Sequence, residues 1–187
     1  KMSISKTSKL MKTLGIIAKS PRKKHHYPIG FEKPTIKNHL NRAFNQPKVN
    51  THWVGDMTYI RRKQGFSYLA TVLDLGNREI VGWALSQTPD ANLVKKALTN
   101  AICNHRPKTH KLLFHSDQGV QYCAQLFKET LSLHGITQSM SRRGNCYDNA
   151  VQERFFRSLK TEYLNEQNFT NHKGVIIASQ YYINYYN

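Results

Sequence analysis

Three acidic residues stand out in this chain of 187 residues: Asp56, Asp117 and Glu153, the last two separated by 35 intervening positions. Their contexts are Trp53-Val54-Gly55-Asp56-Met57-Thr58, His115-Ser116-Asp117-Gln118-Gly119 and Asn149-Ala150-Val151-Gln152-Glu153-Arg154. Three carboxylates gathered in a strongly basic chain need something positive between them. Two divalent metal ions fit that need, because hard cations prefer carboxylate oxygen and can hold a phosphate in the same site. Taken singly, each acid has a plainer reading. Asp56 would be an edge or bulge residue, since Asp is depleted in strands. Asp117 would be a turn residue, and Glu153 half of a surface pair with Arg157, worth a few tenths of a kcal/mol.

Charge supplies the setting. The formal net charge is +17 and the pI about 10.0, a field that favours a polyanion, of which nucleic acid is the commonest. Residues 1–50 carry twelve Lys/Arg against the single acid Glu32, a net of +11, and the remainder carries +6. A basic arm on a moderately basic body matches that asymmetry. No uninterrupted apolar run is long enough to span a bilayer, and no signal-peptide pattern opens the chain. Cys103, Cys123 and Cys146 lack Cys-x-x-Cys spacing, which argues against a disulfide framework and a zinc site and suits a reducing cytosol. His25-His26 lies in a basic, Pro-flanked run without partner cysteines, and reads as a nucleic-acid contact or as nothing.

The elements that must position the acids follow from periodicity. Ile4, Leu10, Met11 and Leu14 recur at near-helical spacing before a stop at Gly15. Residues 19–49 are basic, Pro-punctuated and aperiodic, a linker or arm expected to stay outside the packed core. From Thr51 the rhythm changes to three strands, 53–61, 66–73 and 79–85, joined by short turns at Gly65 and Gly76-Asn77. A helix from Pro89-Asp90 to about His105 presents Leu93, Val94, Ala97, Leu98, Ala101 and Ile102 as one stripe. A short strand over 111–115 runs into Asp117. A helix over 123–134, with Leu126, Phe127, Thr130, Leu131 and Leu133 inward or nearly so, precedes a fifth strand over 136–140. The glycine-containing basic loop Arg142-Arg143-Gly144-Asn145 leads to a third helix. In that helix Asn149 and Gln152 form a capping box, and Val151, Phe155, Leu159 and Tyr163 follow at i+4 steps. Relative to Glu153, Arg157 is rotated by about 40° and Lys160 by about −20°, so these three share the face opposite the apolar stripe. Asp74 and Asp90 read as a strand end and a helix cap, and Asp148 as a helix-approach residue outside the acidic set.

The order β-β-β-α-β-α-β-α is that of an α/β, ribonuclease-H-like fold: a five-stranded mixed sheet flanked by helices, here with a basic N-terminal helix and arm. In that arrangement the first and fourth strands are neighbours. Asp56 and Asp117 then face each other at the sheet edge from which ligands approach.

From about Asn50 onward the chain closely resembles the integrase-core (DDE) transposases of bacterial insertion sequences, specifically the second-frame product of the IS-three group. The resemblance rests on Trp53 to Ile60, Leu73-Asp74-Leu75, Ile80-Val81-Gly82-Trp83, His115 to Gly119, Met140 to Ala150, Phe155-Phe156 and Leu159 to Glu162. It implies an enzyme that cuts and joins DNA strands at its element's ends, with two Mg²⁺ or Mn²⁺ ions held by Asp56, Asp117 and Glu153. Lys160 matches a position expected to contact element-end DNA, with Arg157, Arg142, Arg143, Asn145, Arg22, Lys23 and Lys24 as further candidate contacts. Expected partners are double-stranded DNA of the element ends and target, other copies of the chain on that DNA, and a first-frame helix-turn-helix protein; no membrane is involved. The expected location is the bacterial cytoplasm, at the nucleoid. Residues 1–18 resemble the end of a helix-turn-helix region, 19–50 a linker, and 51–187 the core. That core is expected to be truncated at Tyr185-Tyr186-Asn187, ahead of the family's basic, His-containing tail. The competing readings are an inactive DNA-binding or assembly module derived from such an element, and a ribonuclease-H-like nuclease on RNA–DNA hybrids. The tyrosines at 181, 182, 185 and 186 read as a packing helix rather than as recombinase nucleophiles.

Overall fold

The computed structural model describes residues 2–16, 36–141 and 149–187. Helix α1 (Ile4–Thr13) is capped by Ser3, whose Oγ accepts the Lys6 N–H, and buries none of its residues. The chain leaves it through Gly15 at φ +66°, a left-handed conformation that favours glycine.

Strands β1 (His52–Arg61), β2 (Phe66–Asp74) and β3 (Ile80–Ser86) form an antiparallel meander, with β1 pairing β2 and β2 pairing β3. Helix α2 (Ala91–His105) starts at Asp90, whose carboxylate accepts the Leu93 N–H at 3.0 Å. It crosses back to β4 (Leu113–Ser116), which lies parallel to β1, and β5 (Thr137–Met140) lies parallel to β4. The sheet order is β3-β2-β1-β4-β5, the five-stranded mixed sheet that the element order predicts.

Alternation along β1 divides its side chains between two cores. Trp53, with Phe114 on β4, packs into a cluster with Val72, Leu98 and Phe127 under α2 and α4 (Gln125–Leu133). Val54 and Ile60 join the opposite cluster with Leu73, Phe155 and Leu159, under α5 (Ala150–Ser158) and α6 (His172–Tyr186). Asp56 falls in the Val54–Ile60 alternation, on the face that α5 covers. Gly55 has a packing reason of its own: a Cβ there would run into the Phe114 ring.

Three local expectations are corrected. The helix over 123–134 is two pieces, α3 (Val120–Cys123) and α4, broken at Ala124 with ψ 141°. Gln138 Nε2 donates to the Tyr122 carbonyl at 3.0 Å, occupying an acceptor that a continuous helix would use. Leu133 at the end of α4 is exposed rather than inward. Asn149 does precede α5, but its side chain makes no cap, so there is no capping box. Its amide instead donates to the Gly55 carbonyl at 3.5 Å, and Gln152, fully buried, donates through Nε2 to Thr71 Oγ1.

The arm is corrected too. Residues 36–50 belong to the packed body: Leu40 is buried in the cluster that holds Val54, Leu73 and Leu75, and Phe44 packs against that cluster. The Met140 N–H donates to the Lys37 carbonyl, so this stretch covers the outer side of the edge strand β5. Aperiodic sequence hid it, because a single buried leucine anchors a segment that has no regular element of its own. Beyond α5 the helical path widens into a π turn (Leu159–Tyr163) and tightens into a 3₁₀ turn (Leu164–Glu166). Tyr182 of α6 is buried, its hydroxyl donating to Glu162 Oε2 at 2.6 Å, and Tyr186 packs against the same core, whereas Tyr181 and Tyr185 are exposed, so the packing role read for the four tyrosines holds for two of them. Among the described residues no helix is long and apolar enough to cross a membrane.

Candidate active site

Gly55 on β1 pairs in register with Ser116, the last residue of β4. Asp56 and Asp117 are the next residue of each chain segment, so two parallel neighbours deliver two acids to one sheet edge. Each carboxylate is held by a backbone N–H: Met57 donates to Asp56 Oδ1 at 2.7 Å, and Gly119 donates to Asp117 Oδ1 at 3.0 Å. Glu153 comes from the first turn of α5, which the Asn149–Gly55 and Gln152–Thr71 contacts pin over β1 and β2. Thr71 is itself the cross-strand partner of Asp56. The helix carrying the third acid is therefore bolted to the residues beside the first.

The electrostatics report the gathering. Burial, then the neighbouring Asp117 carboxylate, push Asp56 up to about 8, with Glu153 adding to the rise and the Met57 N–H and Lys160 opposing it. Asp117 is raised by burial and by Glu153, against the Gly119 N–H. Tyr122, fully buried below, has its phenol raised by burial and then by both aspartates. The Asp117 charge thus disfavours ionisation of Asp56, and the Glu153 charge disfavours that of both aspartates.

Three acids outnumber the one cation within their field, Lys160, and the donors are hard oxygens, the set that a divalent cation of the Mg²⁺ or Mn²⁺ type prefers. Among the described residues no three His, Cys, Asp or Glu side chains close around one point. The acids influence one another's ionisation without enclosing a common point. By donor chemistry and by charge deficit, the residues fit such an ion.

Lys160 lies where the face of Glu153 continues, half-buried, with its Nζ 4.6 Å from the centre of the Tyr59 ring. Burial lowers its pKa and Asp56 raises it back, which puts the ammonium within the field of the acids. Arg157 is exposed on α5. Arg142, Arg143 and Asn145, like Arg22, Lys23 and Lys24, lie outside the described residues. Sequence reasoning missed Gln152, Asn149 and Tyr122 as supports of the site. A polar Gln between apolar Val151 and Phe155 was the available signal.

Models of the integrase core domain match residues 46–146 and 134–187 of this chain. The transposase for insertion sequence element IS904 of Lactococcus lactis subsp. lactis (strain IL1403) is 38% identical over 184 residues, 97% of this chain and 72% of that one. Transposase InsF for insertion sequence IS3A of Escherichia coli (strain K12) is 37% identical over 158 residues, 83% of this chain and 54% of the relative. The chain belongs to the integrase-core transposases of bacterial insertion sequences. It spans from about half to nearly three quarters of the length of these two relatives. The catalytic domain of the Mos1 transposase, solved with raltegravir and Mn, shares the fold: TM-score 0.58 at 19% identity, covering 72% of this chain and 70% of that one. A simian T-cell lymphotropic virus intasome chain does so at TM-score 0.57 and 17% identity, covering 90% and 58%.

Proposed function

We propose that this protein carries out two-metal-ion cleavage and strand transfer of DNA at insertion-sequence ends, with Asp56, Asp117 and Glu153 as metal ligands and catalytic residues. The observation that carries this reading is the parallel register of β1 and β4, Gly55 opposite Ser116, which brings Asp56 and Asp117 to one sheet edge beside the helix whose first turn bears Glu153. A phosphodiester resists nucleophiles because its anionic oxygens repel them. When bound, a pair of divalent ions supplies activation of a water or 3′-hydroxyl and stabilises the leaving 3′-oxygen in an in-line displacement. Mg²⁺ or Mn²⁺ is the choice of ion, supported by the Mos1 catalytic domain having been solved with each.

The chain's own residues hold and orient. The Met57 and Gly119 N–H groups each fix one oxygen of an aspartate. Gln152 and Asn149 set the height of Glu153 over β1. Lys160 offers a cation to a phosphate beside the acids, and Arg157 extends that face. No covalent protein–DNA bond is needed. The α6 tyrosine Tyr182 is a poor nucleophile, since burial and its hydrogen bond to Glu162 raise its phenol well above the usual value.

Double-stranded DNA, of element ends and target, is the substrate in this reading. Action as an oligomer on that DNA, a first-frame helix-turn-helix partner, residues 1–18 as the end of a helix-turn-helix region, and a place at the bacterial nucleoid belong to the same proposal. The test is strand transfer by the purified chain on labelled element-end DNA in Mn²⁺, set against Glu153→Gln. Activity in the former and none in the latter is expected. Cleavage of an RNA–DNA hybrid in preference to duplex DNA would overturn the assignment in favour of a ribonuclease.

A further inference from the structure

A groove of about 940 Å³ opens beside the β1–β2 hairpin, between residues 59–66 and the stretch 164–170. Its lining includes four cations, Arg61, Arg62, Lys63 and Lys160, and no acid. Two aromatic rings stand at its wall: Tyr59 is 60% exposed and Phe66 42%, in edge-to-face contact at 5.5 Å. Exposure of neighbouring rings this large is costly unless something covers them. The walls are tied together rather than loose. The Lys63 N–H donates to the Phe169 carbonyl at 2.7 Å across the groove, and Arg62 Nη2 donates to the Phe66 carbonyl at 2.8 Å.

The groove begins at the candidate active site. Lys160 belongs to both, standing over the Tyr59 ring while sharing its field with Asp56. Tyr59 is three residues beyond Asp56 on the same strand, about 10 Å of extended chain, and alternation turns its ring to the other side of β1 from Asp56. Lys160, standing over that ring and within the field of Asp56, links the two sides, so a strand held at the acids meets the aromatic wall after passing Lys160.

We propose that this groove binds an unpaired stretch of DNA strand running out from the active site, with bases stacked on Tyr59 and Phe66 and phosphates on Arg61 and Lys63; the inference rests on the transposase reading above. Cations alone would serve a duplex equally well. Exposed ring faces distinguish the two, because paired bases are already stacked and only unpaired ones have a face to offer.

The test is fluorescence anisotropy, without added metal, of the whole chain with two labelled probes: a blunt element-end duplex, and the same duplex with an unpaired extension of about five nucleotides. Tyr59→Ala/Phe66→Ala is compared with the unaltered protein, with thermal melting as the control for folding. The unaltered protein is expected to bind the extended probe about tenfold more tightly than the blunt one, and the double variant to lose that increment while keeping its blunt-duplex affinity. Arg61→Ala/Lys63→Ala should reduce the increment and its salt dependence. Equal affinity for the two probes in the unaltered protein overturns the proposal. So does a double variant that melts normally and loses affinity for both equally, which would make the groove a duplex surface. Strand transfer that depends on Glu153 but comes with no preference for the extension defeats the groove alone. A Tyr59-dependent preference in a chain without strand transfer defeats the transposase reading and leaves the groove standing.

Discussion

Ser139 Oγ lies 2.8 Å from His115 Nδ1, in the buried layer directly behind Asp117. The same oxygen accepts the backbone N–H groups of His39 and Leu40, at 2.8 and 3.2 Å. Two donors fill both lone pairs, so the hydroxyl proton points to Nδ1. The imidazole is then the Nε2–H tautomer, donating to Ser141 Oγ at 3.1 Å, and the Ser141 hydroxyl donates to the Ser116 carbonyl at 3.3 Å. One chain of hydrogen bonds thus runs from the segment before β1 to the residue preceding Asp117. Ser139→Ala removes a single oxygen but strands several buried groups. It is expected to cost about 1–3 kcal/mol in chemical denaturation; a change within experimental error would show that the hydroxyl does not organise this layer.

The packing of residues 36–50 changes what truncation should do. Leu40→Ala is expected to destabilise the protein by about 2–5 kcal/mol, as for other buried leucines. Residues 1–35 carry nine Lys/Arg against Glu32. Their deletion should leave the melting temperature nearly unchanged while weakening non-specific DNA binding and flattening its salt dependence, because fewer counterions are released. Deleting 1–50 should lower stability as well. A salt slope unaltered by the shorter deletion would refute the arm's role.

The sheet was readable because its strands are bounded by turn residues, and the largely apolar run Leu69–Leu73 is buried on both faces, which leaves β2 no rival assignment. The pairing of β1 with β4, and hence the adjacency of Asp56 and Asp117, followed from element order. What stayed hidden was polar and long-range. Nothing near Ser139 in sequence shows that its partners are His39, Leu40 and His115, and Asn149 has the residue type of a cap while bonding to Gly55 instead. The groove was invisible for the same reason. Tyr59 and Phe66 read as strand residues, and the wall at 164–170 reaches them only in three dimensions.

The acid pair gives stability a pH signature. Asp56 titrates at about 8 in the folded chain, against an ordinary value of 3.8, and Asp117 is raised as well. Between those values the folded state holds more protons than the unfolded state. Their contribution to stability is therefore complete below the lower value and lost as pH rises through the upper one. Metal-free melting temperature should fall from about pH 5 to about pH 8 for this reason. Mg²⁺ or Mn²⁺, which binds the deprotonated acids, should stabilise more at the higher pH. Partly buried His52 and His172, both lowered chiefly by desolvation, act in the opposite direction at acid pH. The comparison is therefore with Asp56→Asn, expected to lose most of the alkaline decline and the metal effect. Retention of both in the variant would reject the account.

Glu153 and Lys160 separate chemistry from positioning on one face. Glu153→Gln keeps the shape of the side chain and removes the charge that a metal needs. It should lower strand transfer by at least about a hundredfold, the scale of losing one preorganised electrostatic group, with DNA binding retained or improved because a negative charge beside phosphate has gone. Lys160→Ala removes a cation from beside Asp56 and the cover from the Tyr59 ring. It should weaken binding of element-end DNA and reduce the salt slope by about one. It should also raise Asp56 further, since Lys160 opposes that rise, so the metal concentration needed for activity should increase. An ordinary surface Glu–Arg pair predicts that both substitutions are nearly silent. Full strand transfer by Glu153→Gln in Mg²⁺ would show that the third acid lies elsewhere.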